Sequence, residues 1–585
     1  MVGLGPPVGK GETIGDGLTE GLILGEERGD DDDFGLGVDF DFPKNSNCLG
    51  ASVVVKFLAT TYPPTPIAAI NPKITKIAIK AKPCFTTAST FILKVLLQSG
   101  QMLKYEAMIY LVLLATLVFR LIALNQSLWL DEAINVNVAR SLSFKSLIFN
   151  YSLGDFHPPL YHLILRTWIL FFGSSEISVR IPSVLLGIGT VFVTYLIGKK
   201  LFENKTALIA TMLIATSPLS IYYSQEARMY MLAAFLATLS CYFFVSIIKK
   251  DTLISWFGFV ASTTLMLYSD YLPYLLIPLY ILFLLINKKL ITKGTLRAFI
   301  PAFIAIFILI IPWLIILPKQ FAVGLSAAAA SPAWAQVVGT PSVKSLAVTF
   351  VKFTIGRISH DNDLIYALLF TPAAIFTIFI FLLSFFRLSR LRSFLWYWFL
   401  GPIVLAFLLG FFVPVFAYFR FIFVLGAFYL IWAMAINTIN WTPLVRSLLA
   451  LTLTINLISA TIYFANSKFQ RENWRGATLY VHQNSTPKTV VLFESTYSIA
   501  PFDYYNKGKI KSQGVLNSFN PNQIEVSQNV KAQTAGMNKV FLFQYLSPIT
   551  DPQGLVFQEL TKMGFVNVST RDFAGVGFVY EFKRL

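Results

Sequence analysis

The sequence predicts an α-helical polytopic membrane protein with a C-terminal extracytoplasmic α/β domain. Three observations predict it. Apolar residues make up 55% of the chain and charged residues only 13%, with a mean hydropathy of +0.64. Apolar runs of helical length recur from residue 107 to 464, and a run of about 20 apolar residues crosses a ~30 Å hydrocarbon core as a helix. Beyond about residue 466 the runs shorten to strand length and begin to alternate, the pattern of a folded α/β layer.

The elements follow in order. Residues 1–101 include the acidic, glycine-rich stretch "GEERGDDDDFGLG" and the proline-broken "TTYPPTPIAAINPK". Such composition cannot bury a core and is expected to be disordered. Met102 opens "MLKYEAMIYLVLLATLVF", which reads equally well as a start, so residues 1–101 are either a disordered cytosolic tail or a segment ahead of the true start. No cleavable signal peptide is visible. The transmembrane domain is expected over 102–464, with eleven spans near 107–124, 180–198, 206–223, 229–248, 253–269, 271–286, 298–317, 364–386, 394–413, 418–436 and 444–464. Residues 159–173 are apolar but short, and Arg166 interrupts them. They are expected to lie in the membrane interface rather than to span.

That choice sets the sidedness. Lys199, Lys200 and Lys205, Lys249 and Lys250, Lys288, Lys289, Lys293 and Arg297, Arg387, Arg390 and Arg392, and Arg446 then all fall on one side, which the positive-inside rule makes cytoplasmic. The N-terminus is expected inside. Large outer loops are expected at 125–179 and 318–363, with the soluble α/β domain, residues 465–585, outside the plasma (inner) membrane.

The net charge of +17 does not indicate nucleic acid, because the basic residues sit in short loops between apolar helices. Cys48, Cys84 and Cys241 are far apart and give neither a disulfide framework nor a metal spacing. His157 and His162 lack an obvious third ligand. No cofactor is expected, and a divalent metal has no support in the sequence.

On this topology the unusual polar residues gather on the outer face. "SLWLDEAINV" places Asp131 and Glu132 side by side in the first outer loop, which also holds "GDFHPPLYH". "YYSQEARMY" forms the next outer turn, Asp270 and Tyr271 mark the one after, and "FAYFRF" begins the tenth span. Each has an ordinary structural explanation. Acids favour the positive end of a helix, an exposed Glu-x-Arg pair contributes little, and a double proline is usually a bend. Their convergence on one face favours a site.

"LWLDEA", "HPPLYH" and "SQEARMYML", in this order and spacing, resemble the bacterial members of the protein O-mannosyltransferase and aminoarabinose-transferase superfamily. These are GT-C fold glycosyltransferases that use polyprenyl-phosphate sugars. The resemblance covers about residues 104–464. It implies that Asp131 is the catalytic carboxylate and Glu132 its orienting neighbour. His157-Pro158-Pro159 stands where the aminoarabinose branch has an acidic-Lys-Pro segment, so that branch's metal or lysine contacts do not carry over.

The residue types fit such chemistry independently. Sugar transfer from a lipid phosphate to a hydroxyl needs a base, cations for the departing phosphate and an apolar groove. A carboxylate partly desolvated at the membrane surface is a suitable base. Arg228 and Arg420 are suited to bidentate phosphate binding. His157, Tyr161, Glu226 and Tyr230 are further substrate- or phosphate-binding candidates. The expected partners are a polyprenyl-phosphate-linked sugar donor, a protein, glycolipid or polysaccharide acceptor, and the bilayer. The rival reading is a lipid or solute transporter or flippase, but transporters place ionisable groups near the bilayer midplane, whereas these acids sit at the outer rim.

Overall fold

The computed structural model describes residues 105–330, 339–385, 388–439, 441–516 and 522–584. The expected disorder of residues 1–101 and the placement of Arg387 lie outside the described residues. Among the described residues, six helices are long and apolar enough to cross a membrane: Glu176–Leu201, Tyr230–Lys249, Lys293–Leu314, Leu364–Ser384, Tyr418–Asn437 and Thr442–Ala465. A seventh candidate is the pair Asn204–Thr216 and Pro218–Ser224, bent by 58°. The other expected spans coincide with shorter apolar helices, Ala107–Leu121, Leu253–Leu267, Leu272–Ile286 and Phe394–Leu409. Expected bounds overran where apolar residues continue past a helix end, as at Phe411 and Phe412, which are exposed. Residues 159–173 form a 13-residue helix, Leu160–Phe172, whose tip exposes Leu170, Phe171 and Phe172.

Burial sorts the helices. The Tyr418–Asn437 window is 89% buried and the Leu364–Ser384 window 11% buried. The first therefore forms the centre of the bundle, and the second offers its side chains to surrounding lipid. The bend at residue 217 has a local cause. Pro218 has no N–H to donate and suits the first turn of a new helix, and Ser217 caps that turn by accepting from Ser220 N. Arg120 braces the second segment, donating to Ser224 Oγ at 2.9 Å and Ser220 Oγ at 2.8 Å. Gly187 is required there, because a Cβ would lie 2.2 Å from Ser224 Oγ.

The C-terminal region is the expected α/β layer. Strands β1 (Thr489–Ser495), β2 (Lys511–Leu516), β3 (Lys539–Phe543), β4 (Phe565–Phe573) and β5 (Gly577–Arg584) form one sheet in the order β2-β1-β3-β5-β4. The β2, β1 and β3 strands are parallel, and β5 is antiparallel to β3 and β4. β1, β3 and β5 coincide with the strand-length apolar runs "TVVLFES", "KVFLFQYL" and "GFVYEF", and the helix Leu555–Lys562 lies in "PQGLVFQELTKMGF", which has helical spacing. The polar β2 and the edge strand β4 carried too weak a pattern to be read. One face of the sheet, with Val491, Phe493, Phe541, Phe543 and Tyr545, shares a core with Trp474 and Leu130. That core reaches the helix Leu130–Ser141 through Leu130, which precedes Asp131 and Glu132, and the helix Ala500–Asn506 packs against it.

Candidate active site

Trp129 is extended, and the helix Leu130–Ser141 starts after it with Asp131 and Glu132 in its first turn. That position suits acids, but both are fully buried, so this is not a solvated helix end. Neighbouring residues on a helix point about 100° apart, and the two carboxylates find different partners. Glu132 Oε2 lies 2.5 Å from Arg180 Nη2, and its Oε1 accepts from Arg180 Nε and Ala227 N, both at 2.8 Å. Arg180 also donates to the carbonyls of Leu124, Gln126 and Ser127, winding the preceding loop around its guanidinium. Burial opposes the charge of Glu132, but Arg180 holds the carboxyl below its usual range. Asp131 Oδ2 lies 2.5 Å from Arg228 Nη1, and Arg228 in turn sits over the Tyr230 ring at 5.5 Å.

Glu226 and Arg228 do not pair with each other. Glu226 faces Arg471 at 3.1 Å. Burial pushes its carboxyl up, and Arg471 opposes the shift. Arg471 lies 3.8 Å and Arg357 4.6 Å from the centre of the Tyr222 ring, and both donate to its hydroxyl. Removing one partner from such a buried pair leaves an uncompensated charge, so these matches fix the local packing.

The pocket itself is enclosed and small, a cavity of about 10 Å³ lined by Asp131, Asn135, Tyr151, Asp155, His157, Tyr161, His162 and Arg228 among others. Asn135 Nδ2 donates to the Ala227 carbonyl at 3.1 Å, which turns its Oδ1 to His162 Nε2 at 3.1 Å. The His162 proton therefore belongs on Nε2. Burial pushes this imidazole down to about 4, despite Asp155, and leaves it neutral. Asp155 lies 3.8 Å from His157 and 3.9 Å from His162. Burial would raise Asp155, but the contact and charge of His157 hold it down to about 2. Gln320, from the helix Leu317–Ala330, donates to the carbonyls of Ser152, Asp155 and His157 and fastens this loop over the cavity. Among the described residues, no group of three or more His, Cys, Asp or Glu side chains is placed to hold a metal ion.

A further carboxyl approaches from the C-terminal side. Glu472 accepts from Trp474 Nε1 at 2.6 Å and Tyr545 Oη at 2.8 Å. Burial, and secondarily the charge of Asp131, push it up to about 7 against those hydrogen bonds and Arg357.

Of the candidates from the sequence, Asp131, His157, Tyr161 and Arg228 line one cavity, with Tyr230 beside Arg228. Glu132 and Glu226 are turned to Arg180 and Arg471. Arg420 stands outside the lining, within electrostatic reach of Asp270, Tyr230 and Arg228. Asp155, His162, Asn135, Arg180, Arg471 and Gln320 were missed. Arg180 had a signal, being a charge at the mouth of an apolar helix. Arg471 had none, because its partner lies 245 positions earlier in the sequence.

Residues 156–316 match the family described as dolichyl-phosphate-mannose-protein mannosyltransferase. YkcB of Bacillus subtilis (strain 168), named as a candidate mannosyltransferase, is 25% identical over 202 residues, 32% of this chain and 28% of that protein. The matched stretch spans 28% of the length of each of the curated relatives compared. The crystal structure of ArnT from Cupriavidus metallidurans in the apo state superposes over 81% of this chain and 97% of its own, with 12% identity and a TM-score of 0.49. The archaeal oligosaccharyltransferase AglB from Archaeoglobus fulgidus, in complex with an inhibitory peptide and a dolichol-phosphate, aligns with 81% of this chain and 74% of its own, at 11% identity and a TM-score of 0.50. The chain has the GT-C glycosyltransferase fold. The family match begins at Phe156, so it includes the His157–His162 and Arg228–Met229 sides of the cavity but not Asp131.

Proposed function

We propose that this chain is an integral-membrane glycosyltransferase that moves a sugar from a polyprenyl-phosphate donor to a hydroxyl acceptor on the extracytoplasmic face, with Asp131 as general base. The N-terminus then lies in the cytoplasm, and residues 465–585 lie outside as a soluble domain. One observation carries the reading. Three stretches far apart in sequence bring Asp131, His157, Tyr161, His162 and Arg228 into a single enclosed cavity, where water is scarce and charge interactions are strong. The name of the matched family supports a lipid-phosphate donor.

In this reading the acceptor oxygen attacks the anomeric carbon, and the bond from that carbon to the phosphate oxygen breaks. The hydroxyl proton passes to the Asp131 carboxylate, and the polyprenyl phosphate leaves with the bonding pair. Arg228 and Arg420 stabilise the charge that develops on it. Glu132, held by Arg180, fixes the start of the helix and so the aim of Asp131. A sugar is far larger than the present cavity, so the loop under Gln320 moves when donor enters.

The test is Asp131→Asn, assayed as transfer from a polyprenyl-phosphate sugar by purified enzyme, with donor binding measured separately. Removing a general base costs roughly 10²–10⁴-fold in rate, while donor binding persists. Transfer near the wild-type rate would remove Asp131 from the reaction.

A further inference from the structure

A second cavity lies in the C-terminal layer, and the proposed transfer reaction does not use it. Its volume is about 630 Å³, within the ordinary size of a small-ligand site. It opens at the carboxyl ends of two parallel strands. Glu494 is the next-to-last residue of β1, and Gln544 directly follows β3. From β1 the chain passes to β2 on one side, then crosses back to β3 on the other. Such reversals leave a crevice at the strand ends, where α/β sheets bind ligands.

The lining has a definite chemistry. Glu494, Gln544, Asp551 and Gln558 supply polar groups, and Phe557 and Tyr580 supply rings, which meet edge to face at 5.0 Å. Among the described residues the lining holds no lysine or arginine. Asp551 is already engaged, since its two oxygens accept from Leu555 N and Val556 N, each at 2.9 Å. Glu494 accepts only from Thr550 Oγ1, at 3.2 Å. Burial and the nearby Asp551 push its carboxyl up to about 8, so it presents a proton as well as an acceptor. An anion finds no cation here and meets two acids. Tyr580 Oη donates to Gln544 Oε1 at 2.7 Å and Gln558 Nε2 to the Gln553 carbonyl at 2.9 Å, so a wholly apolar ligand covers the remaining Gln544 amide donors and the second Glu494 oxygen, which is costly. Amides and a carboxyl beside an aromatic ring match a ligand with many hydroxyls and an apolar face.

We propose that this groove is a binding site for a neutral saccharide, separate from the Asp131 pocket and independent of the reaction assigned there. Side chains alternate along an extended chain, and Tyr545 turns to Glu472 beside the Asp131 pocket while Gln544 turns to the groove. Adjacent residues at the end of one strand thus face the groove and Glu472.

The full chain in lipid nanodiscs, free of glycosidic detergent, is applied to an array of neutral, N-acetylated and carboxylated oligosaccharides. Bound members are then titrated calorimetrically. Neutral members are expected to bind. Gln544→Ala and Phe557→Ala should each weaken them about five- to tenfold, the scale of one lost contact of about 1 kcal/mol. Gln558→Ala, at an exposed position, should weaken them without touching the Phe557 packing. Glu494→Gln should bind within about twofold of wild type, because an amide replaces a protonated carboxyl, whereas Glu494→Ala should not. Asp131→Asn should bind like wild type. The proposal is overturned if no neutral saccharide binds, if carboxylated members bind instead, or if the groove variants bind unchanged while Asp131→Asn loses binding.

Discussion

Two pairs of buried acids invite comparison. Asp131 and Glu132 are matched by Arg228 and Arg180 in contacts of 2.5 Å. Glu494 and Asp551 have no cation in their groove; one keeps a proton and the other is capped by backbone N–H groups. Both arrangements answer the same cost, which is taking carboxylates out of water. They differ in what remains available. The first site sets ion pairs in a closed space, as the proposed transfer from a lipid phosphate requires. The second caps its one charged carboxylate with backbone donors and otherwise offers neutral donors and acceptors in an open groove, which suits reversible contact with hydroxyls.

The strongest way to break the comparison is to remove a cation. Arg180→Ala leaves Glu132 buried and unmatched and strips donors from the carbonyls of residues 124, 126 and 127. A loss of about 3–5 kcal/mol is expected, read as a large fall in Tm in detergent. The double variant Arg180→Ala with Glu132→Gln should recover part of that loss, since the orphaned charge is gone. If the double variant is no better than the single, the pair is not what holds the loop. Removing the charge of Asp551 should cost far less, because its partners are backbone donors of a helix end, worth about 0.5–2 kcal/mol.

A second prediction uses the carboxyl between the two regions. Glu472 is pushed up to about 7 by burial, with Trp474, Tyr545, Asp131 and Arg357 around it. A carboxyl raised in the folded state stabilises that state fully below its ordinary value, and this contribution fades as pH rises through about 7. The wild type should therefore lose Tm between about pH 5 and about pH 8 through this group, and Glu472→Gln should flatten that part of the profile. An unchanged profile in the variant would show that Glu472 does not titrate in this window.

These arrangements explain what the sequence could and could not disclose. Hydropathy marked the apolar helices, and strand-length apolar runs marked β1 and β3, because burial leaves a local pattern. The three motifs were legible for the same reason: polar residues are conspicuous beside apolar runs. The matching was not legible. Glu226-x-Arg228 read as a local ion pair, yet the backbone turn, with Arg228 N donating to Glu226 O at 2.8 Å, sends the two side chains to Arg471 and Asp131. Arg471 and Glu472 lie in "FQRENWRG", an unremarkable stretch until the sheet docks on Leu130 and carries it to the cavity. Gln544 and Glu494 become a pair of groove walls only through the strand order.

The smallest expected effect concerns Gln320, which closes the first site and has no counterpart in the second. Its amide donates to the Asp155 carbonyl at 2.9 Å and the His157 carbonyl at 3.3 Å, and also to that of Ser152, while its carbonyl accepts from the Tyr271 hydroxyl. One neutral side chain thus satisfies backbone acceptors that no helix or strand serves. Each such bond contributes only about 0.5–1.5 kcal/mol net, so Gln320→Ala should fold and insert with a modest fall in Tm. Its local consequence should be larger than its global one. Amides of residues 152–157 should exchange faster with solvent deuterium, because local opening no longer breaks these bonds. Exchange across β1 and β3 should not change, since their backbone bonds lie within their own sheet. If the loop exchanges at the wild-type rate, the cavity is closed by packing around Tyr151 and Tyr161 and not by this latch.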